Sequence, residues 1–159
     1  PQGFTEKLTE LGIQVGFYLG TPFPQTLHLI PKKIALGVGC RKGISFSQFQ
    51  GKILEFLRQA NLPLEGVEQV ATISHKGEEP CILEFCQRYG LPLRLFSPQE
   101  LAQQLGQFTS SDFVRRTVGV DNVCERAAAA ACQGALLLPK QAGDGVTAAA
   151  AAGPVSLWF

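Results

Sequence analysis

The sequence has no methionine, one tryptophan and two histidines among 159 residues, and neither sign of charge is in excess. Lys and Arg number 14 and Asp and Glu number 13, which gives a formal net charge of +1. Duplex nucleic acid is therefore not expected as a partner, because its binding needs a basic surplus that neutralises phosphates. The longest apolar runs, 127–132 and 146–152, are far shorter than the roughly 18 residues of a membrane-spanning helix. The sequence predicts neither nucleic-acid binding nor a membrane span.

The cysteines lack the pattern of a disulfide framework or of a zinc site. They number five, none belongs to a Cys-x-x-Cys pair, and neither His28 nor His75 stands at a metal-ligand spacing. This usage favours a reduced, cytoplasmic protein with no metal site of its own. The missing methionine and the start at Pro1 also predict that the sequence is part of a longer protein.

Hydrophobic residues make up 45% of the chain, which fits about one globular domain of roughly 150 residues. Residues 1–31 differ from the rest, because prolines at positions 22, 24 and 31 interrupt a stretch rich in aromatic residues. Only one short strand, within 13–19, is predicted there. We therefore divide the chain into residues 1–31, a linker or the tail of a preceding domain, and a domain over residues 32–159.

From residue 33 onward, buried-strand patterns alternate with helical patterns. Strands are predicted at 34–38, 70–73, 93–96, 135–138 and 146–151, and helices at about 46–60, 79–89, 111–118 and 121–132, with another after Ser97. A seven-residue turn, 139–145, would let the last two strands pair antiparallel. The alternation predicts an α/β fold, a three-layer α/β/α sandwich around a mixed, mostly parallel sheet of about five strands.

Ligands of open α/β sheets bind beyond the carboxyl ends of the strands, and the first such loop here is glycine-rich. The segment GVGCRKG, residues 37–43, combines glycines, two cations and a following helix N-terminus, as an anion-binding loop does. Its spacing is GxGxxxG instead of the dinucleotide GxGxxG, and the second strand ends in Ser74 and His75 without the acid that binds ribose. A strand-to-helix turn and an anion-binding loop both remain open, and the spacing opposes nucleotide binding as a third interpretation.

Three side chains are candidates for acid–base chemistry. His75 and Glu79 follow the second strand, and an imidazole there can exchange a proton near neutral pH. Glu125 lies one turn after Asp121, a candidate N-cap, at the start of an alanine-rich helix. Each also has a structural interpretation, either as a solvated loop histidine or as a carboxylate that complements a helix dipole.

Four cations are predicted to converge at one edge of the sheet. Arg41, Lys42 and Lys76 follow the first two strands, and Lys140 shares their edge if the fourth strand runs parallel to them. In a nearly neutral chain this concentration favours a ligand with several carboxylates or phosphates. The predicted substrate-binding residues are Gly39, Cys40, Arg41, Lys42, Gly43, Lys76, Lys140 and Thr147.

Cys40 has a second interpretation, as a nucleophile. It follows a glycine, precedes Arg41 and stands ahead of a helix, and these conditions lower the pKa of a thiol. His75 is the candidate base, and the sequence shows no third residue that would orient it.

The same segments resemble a family of cobalamin biosynthesis. LGVGCRKG, residues 36–43, is similar to the GIGCR(R/K)G signature of the CbiG C-terminal domain, which also occurs as the stand-alone protein CobE. Other family elements are matched in order by ATI before Lys76 and Glu79, by GLPL and FSPQEL, by VDNVCERA around Glu125, by LPK with Lys140 and by GVT with Thr147. The matches run from about residue 29 to 151. Ser74 stands where the family often has an aspartate.

The resemblance implies a three-layer α/β/α domain that follows an N-terminal and a central domain in full-length members. It implies a place in the anaerobic corrin pathway, where the full-length protein opens the δ-lactone of cobalt-precorrin-5A and releases acetaldehyde. Expected partners are the cobalt-precorrin intermediate, the remaining CbiG domains and pathway enzymes such as a precorrin methyltransferase. No cofactor is expected, because the substrate macrocycle carries the cobalt. The alternative is a non-catalytic tetrapyrrole-binding or docking module of the same pathway.

Overall fold

The computed structural model describes residues 10–104, 108 and 122–156. The elements in chain order are β1 (Leu11–Val15), β2 (Gln25–Leu29), β3 (Ile34–Cys40), α1 (Phe46–Gln59), β4 (Val67–Ile73), α2 (Pro80–Tyr89), β5 (Leu93–Phe96), α3 (Pro98–Ala102), α4 (Val123–Cys132), β6 (Ala135–Gly143) and β7 (Val146–Ala152). Single turns of 3₁₀ helix, Leu64–Gly66 and Ser74–Lys76, precede and follow β4. The helix predicted at 111–118 and the N-cap predicted at Asp121 lie outside the described residues.

Five of the strands form one mixed sheet in the order β5-β4-β3-β7-β6. The neighbours β3, β4 and β5 pair in parallel, whereas β7 pairs antiparallel with both β3 and β6. Helices α1 and α2 pack against each other on one face, and α4 packs against β3, β4 and β7 with α3 beside it. This three-layer α/β/α arrangement confirms the predicted fold class. No described helix is both long enough and apolar enough to cross a bilayer.

Local sequence signals explain where these helices begin and end. Ser45 accepts a hydrogen bond from the Gln48 N–H at the start of α1, and Ser97 forms a complete capping box with Glu100 at the start of α3. Gly90 ends α2 in the left-handed conformation, with φ of 62°. The Gln48 side chain departs from the expected capping box, because its amide donates instead to the Asp144 carbonyl at 2.9 Å. This hydrogen bond ties the start of α1 to the β6–β7 turn.

The final hairpin is longer and tighter than the sequence predicts. β6 continues through Gly143, and only Asp144 and Gly145, with φ of 50° and 78°, make the turn. The prediction of a seven-residue turn was therefore wrong, because β6 continues beyond Pro139 and its residues 141–143 pair with β7. Both β3 and β6 are antiparallel to β7, so they run in the same direction. Lys140 consequently reaches the edge where β3 and β4 end.

Residues 10–31 contain a small parallel sheet of β1 and β2. The prediction found a strand near β1 but missed β2. Phe17 packs on the main core, and the Tyr18 hydroxyl donates a 2.9 Å hydrogen bond to the Leu137 carbonyl. On one face of this sheet five apolar side chains are between 41% and 65% exposed: Leu11, Ile13, Val15, Leu27 and Leu29. This apolar face has no cover among the described residues.

Candidate functional site

A cavity of about 580 Å³ opens beyond the carboxyl ends of β3 and β4. Its walls are the start of α4 on one side and the β6–β7 hairpin on the other. The residues that line it are Gly39, Cys40, Arg41, Thr72, Ile73, Lys76, Val123, Cys124, Lys140, Ala142, Gly143, Asp144, Gly145, Val146 and Thr147. This is where ligands of open α/β sheets bind, and the volume is in the usual range for small-molecule sites.

The charges of the cavity wall are unequal. Arg41, Lys76 and Lys140 contribute cations, and Asp144 contributes a carboxylate. Asp144 is already paired with Lys52 of α1 at 2.8 Å, and Lys76 is paired with Glu79 at 2.7 Å. Within the described part of the chain, neither Arg41 nor Lys140 has an ion-pair partner. Two cations therefore remain to meet an anionic ligand.

The glycine-rich segment proves to be strand for most of its length. β3 extends through Cys40, and Gly39 and Cys40 lie opposite Thr147 and Val146 of β7. The next amide, that of Arg41, donates to the Gly145 carbonyl at 2.8 Å. Because this amide is held by the hairpin, the segment is a strand-to-helix turn that contributes side chains to the cavity. The Arg41 amide is therefore not available to an anion.

The structure brings together six of the eight predicted binding residues. Gly39, Cys40, Arg41, Lys76, Lys140 and Thr147 line the cavity, whereas Lys42 and Gly43 lie outside its wall and are exposed. The three acid–base candidates, His75, Glu79 and Glu125, are also absent from the wall. His75 is exposed on the 3₁₀ turn after β4, and Glu79 is close by, paired with Lys76.

Thr72, Cys124 and Asp144 line the cavity but were not among the predicted residues. Thr72 lies at the end of a correctly predicted strand, so its position alone could have indicated it. Cys124 and Asp144 gave no such signal, because they reach the cavity only through the packing of α4 and the closure of the hairpin.

Burial changes the expected chemistry of Cys40. Its Sγ lies 3.6 Å from Sγ of Cys81 in α2. Loss of solvent, together with the neighbouring Cys81 thiol, raises the pKa of Cys40 to about 12, whereas its sequence neighbours favoured a lowered value. Burial likewise raises the pKa of Cys124 to about 12. Both thiols are protonated near neutral pH, and all five cysteines are free.

Glu125 is one of three buried polar or charged residues among the described ones, with 1% of its surface exposed. Its Oε1 accepts a 2.7 Å hydrogen bond from the backbone N–H of Lys140. The carboxylate thus contacts the strand that carries a cavity lysine, and Glu125 is not among the residues that line the cavity.

The order of these elements and the residues at the strand ends can be compared with known proteins. The model of the family described as cobalamin synthesis G C-terminus matches residues 34–151, which include the whole five-stranded sheet except the last residue of β7. The chain belongs to this family. Its members take part in cobalamin biosynthesis, which agrees with the predicted resemblance.

A curated relative supports this assignment. The cobalt-precorrin-5A hydrolase of Salmonella typhimurium is 29% identical over 146 residues, an alignment that covers 89% of this chain and 42% of that protein. The chain therefore spans less than half the length of this relative.

Two solved structures share the fold of this cobalamin synthesis G C-terminal domain. CobE, a protein from the cobalamin biosynthetic pathway, matches with a TM-score of 0.70 and 24% identity over 76% of this chain and 89% of CobE. A cobalamin biosynthesis protein G homolog from Sulfolobus solfataricus matches with a TM-score of 0.64 and 21% identity over 95% of this chain and 47% of that one.

Proposed function

We propose that this chain binds the carboxylate-rich macrocycle of a cobalt-precorrin, as part of a cobalt-precorrin-5A hydrolase. The observation that carries the proposal is the cavity wall, where the Arg41 and Lys140 cations have no ion-pair partner among the described residues. Corrin precursors carry acetate and propionate groups around the ring. Arg41 and Lys140 are placed to bind two of these groups, since charge-assisted hydrogen bonds to carboxylates are strong and directional.

The apolar part of the cavity suits the remainder of such a ligand. Ile73, Val123 and Val146 belong to its wall beside the two cations. A macrocycle edge has an apolar ring and charged arms, and the wall offers the same combination. We expect one edge of the ring to enter the cavity with its arms and the other edge to stay outside.

The test is an optical titration of the purified chain with a cobalt-precorrin, followed by its absorbance. Arg41→Ala and Lys140→Ala should each weaken binding about tenfold or more, because each removes a charged partner of a ligand carboxylate. Lys42→Ala is the matched control, since Lys42 adjoins Arg41 but lies outside the cavity wall. Unchanged affinity in both cavity variants, or an equal loss in Lys42→Ala, would show that the ligand does not bind here.

We propose further that the groups that open the δ-lactone and release acetaldehyde lie in another part of the hydrolase. Among the described residues that line the cavity there is no histidine, and the one carboxylate, of Asp144, is paired with Lys52. The raised pKa values of Cys40 and Cys124 make both thiols poor nucleophiles. These observations favour the binding module over a self-sufficient hydrolase.

Acetaldehyde release separates the two possibilities. The chain alone, incubated with cobalt-precorrin-5A, should release no more acetaldehyde than a buffer blank, whereas a full-length relative should release one equivalent. Turnover by the chain alone at a rate near that of the full-length relative would refute the binding-module proposal.

The exposed apolar face of β1 and β2 provides a contact for such a further part. Two parallel strands with one bare face are not stable in isolation, because parallel sheets are normally covered on both faces. The Sulfolobus homolog matches 95% of this chain, which leaves out too few residues to omit both strands, and it is about twice as long as the match. We propose that a preceding domain of the hydrolase covers this face.

Oxidative surface labelling tests the contact. Addition of the preceding domain of a hydrolase, as a separate purified protein, should protect Ile13 and Leu27 from labelling. Leu83 of α2 is similarly exposed, at 45%, and serves as the internal control that stays labelled. Equal labelling of Ile13 and Leu27 with and without the added domain would contradict the proposal.

A further inference from the structure

The pairing of β6 with β7 contains an irregularity at the residue that reaches the cavity. Leu138 lies opposite Ala150 and Gln141 lies opposite Ala148, so Pro139 and Lys140 together face the single residue Ala149. This is a β-bulge, which bends a strand and redirects its side chains. Pro139 has no N–H to donate, and the bulge takes Lys140 out of the regular ladder.

The N–H of Lys140 finds its acceptor on a different element. Oε1 of Glu125, in the first turn of α4, accepts it at 2.7 Å, and Glu125 itself is buried. A backbone donor that lies out of the ladder and partly away from water gains from an acceptor elsewhere, and a carboxylate makes a stronger acceptor than a neutral carbonyl. The contact therefore joins the bulge of β6 to the first turn of α4.

The close packing of α4 against β3 allows the Glu125 side chain to contact the Lys140 N–H. A Cβ built on Gly37 of β3 would lie 1.8 Å from the Cys124 carbonyl, so the helix backbone rests directly on the strand. Cys124 immediately precedes Glu125, so the absence of a side chain at position 37 sets the depth at which the carboxylate enters.

We infer that Glu125 is a positioning residue that fixes, through the backbone N–H of Lys140, where the Lys140 side chain enters the cavity. The inference rests on the proposed function, in which Lys140 binds a ligand carboxylate. The competing role is purely structural, namely a negative charge that complements the positive end of α4. The two roles depend on different properties of the side chain, the first on contact with the N–H and the second on charge.

Two conservative variants separate contact from charge. Glu125→Gln keeps the length and an acceptor oxygen but removes the charge, whereas Glu125→Asp keeps the charge and withdraws the oxygens by one methylene. Positioning predicts that Glu125→Asp weakens cobalt-precorrin binding about tenfold, close to the loss in Lys140→Ala, and that Glu125→Gln stays within about threefold of the unchanged chain. Dipole complementation predicts normal binding in Glu125→Asp and a stability loss in Glu125→Gln. Glu68→Gln, an exposed carboxylate paired with Lys33 on the surface, is the control for charge loss alone.

A double variant tests whether Glu125 acts through Lys140. If it does, Glu125→Asp should cause no further loss of affinity once Lys140 is alanine. An equal loss in both backgrounds, or normal affinity of Glu125→Asp in a folded protein, would overturn the inference and leave the proposed binding site standing. Unchanged affinity of Lys140→Ala would overturn the inference alone, and unchanged affinity of both Lys140→Ala and Arg41→Ala would overturn the proposed function as well.

Amide hydrogen exchange at Lys140 gives a readout that needs no ligand. The N–H should exchange at least about tenfold faster in Glu125→Asp than in the unchanged chain, while Glu125→Gln retains most of the protection. Equal exchange rates in Glu125→Asp and the unchanged chain would show that the contact does not hold the bulge.

Discussion

The two faces of the central sheet differ in how closely their helices approach the strands. On the face covered by α1 and α2, large residues fill the space, and the rings of Phe49 and Phe85 meet edge to face with centroids 5.7 Å apart. On the face covered by α4, the sheet and helix present small residues such as Gly37, Ala71 and Ala127. The first face removes much apolar surface from water, and the second lets a helix backbone touch a strand.

Because of this difference, one face contributes most of the stability and the other face sets the position of α4. Buried area drives folding, so most of the hydrophobic stabilisation comes from the face with large side chains. Close backbone approach contributes less buried area, but it sets the position of the start of α4 relative to the strand ends. The cavity lies at that start, so we expect substitutions on the α4 face to alter ligand binding out of proportion to their effect on stability.

The largest expected effect is on the face with large side chains. Phe85→Ala removes a fully buried ring from the core and should lower the free energy of unfolding by about 3–5 kcal/mol, measured by urea denaturation. Phe46→Ala, whose ring is only partly buried, should cost clearly less. Equal losses in the two variants would mean that burial does not decide stability on this face.

Gly37→Ala tests the opposite face. The added Cβ would lie 1.8 Å from the Cys124 carbonyl, so α4 must shift, and we expect a loss of about 1–3 kcal/mol together with weaker ligand binding. In Gly39→Ala the nearest atom is the Thr147 hydroxyl oxygen at 2.7 Å, which a rotation can move, so the stability loss should be smaller. A folded Gly37→Ala variant with unaltered stability and binding would contradict the role of close approach.

Gly51→Ala should raise the free energy of unfolding, whereas Gly37→Ala should lower it. Gly51 is exposed in α1, and a Cβ there would meet no atom within 4 Å. Alanine has the higher helix propensity, so the free energy of unfolding should rise by about 0.5–1 kcal/mol in the same urea measurement. A loss of stability would show that an added methyl group destabilises this fold even where it meets no other atom. The loss in Gly37→Ala could then not be assigned to the contact with the Cys124 carbonyl.

The smallest expected effect is on the ion pair that links the β6–β7 hairpin to α1. Toward α1 the attachment is an exposed ion pair, in which Lys52 lowers the pKa of Asp144 below its ordinary value of 3.8. Because the carboxyl pKa is lower in the folded than in the unfolded protein, the ion pair stabilises the fold at a pH above the unfolded pKa. This contribution is lost as the pH falls through the lower pKa of the folded protein. The melting temperatures of the unchanged chain and Asp144→Asn should therefore differ slightly at pH 6 and converge as the pH falls below 3.8. A difference that persists at the acid end would assign the effect to some other property of Asp144.

Much of the fold follows from local signals. Apolar runs and capping residues locate five strands and the described helices α1, α2, α3 and α4 to within about three residues, except that β6 continues five residues beyond the predicted strand. The convergence of Arg41, Lys76 and Lys140 follows as well, because the carboxyl ends of strands that run in the same direction meet at one edge.

What the sequence does not disclose depends on contacts between distant residues. The environment of Cys40 is set by Cys81, and the role of Glu125 by a bulge that begins fourteen residues later at Pro139. The sequence near Cys40 favours a low pKa, and tertiary burial outweighs it. The predicted antiparallel pairing of β6 with β7 is confirmed, but nothing in the alanine-rich strand indicates that its other neighbour is β3.

The alanine-rich strand β7 has a consequence for how the chain is made. It is the last strand among the described residues, yet it lies between β3 and β6, and Ile34 pairs with Ala152 across more than a hundred residues of chain. While the ribosome is still producing the middle of the protein, β3, β4 and β5 can assemble with their helices, but the inner border of β3 stays bare. One edge of β3 in the nascent domain should therefore stay unpaired until β7 emerges, and the cavity can form only when β7 completes the sheet.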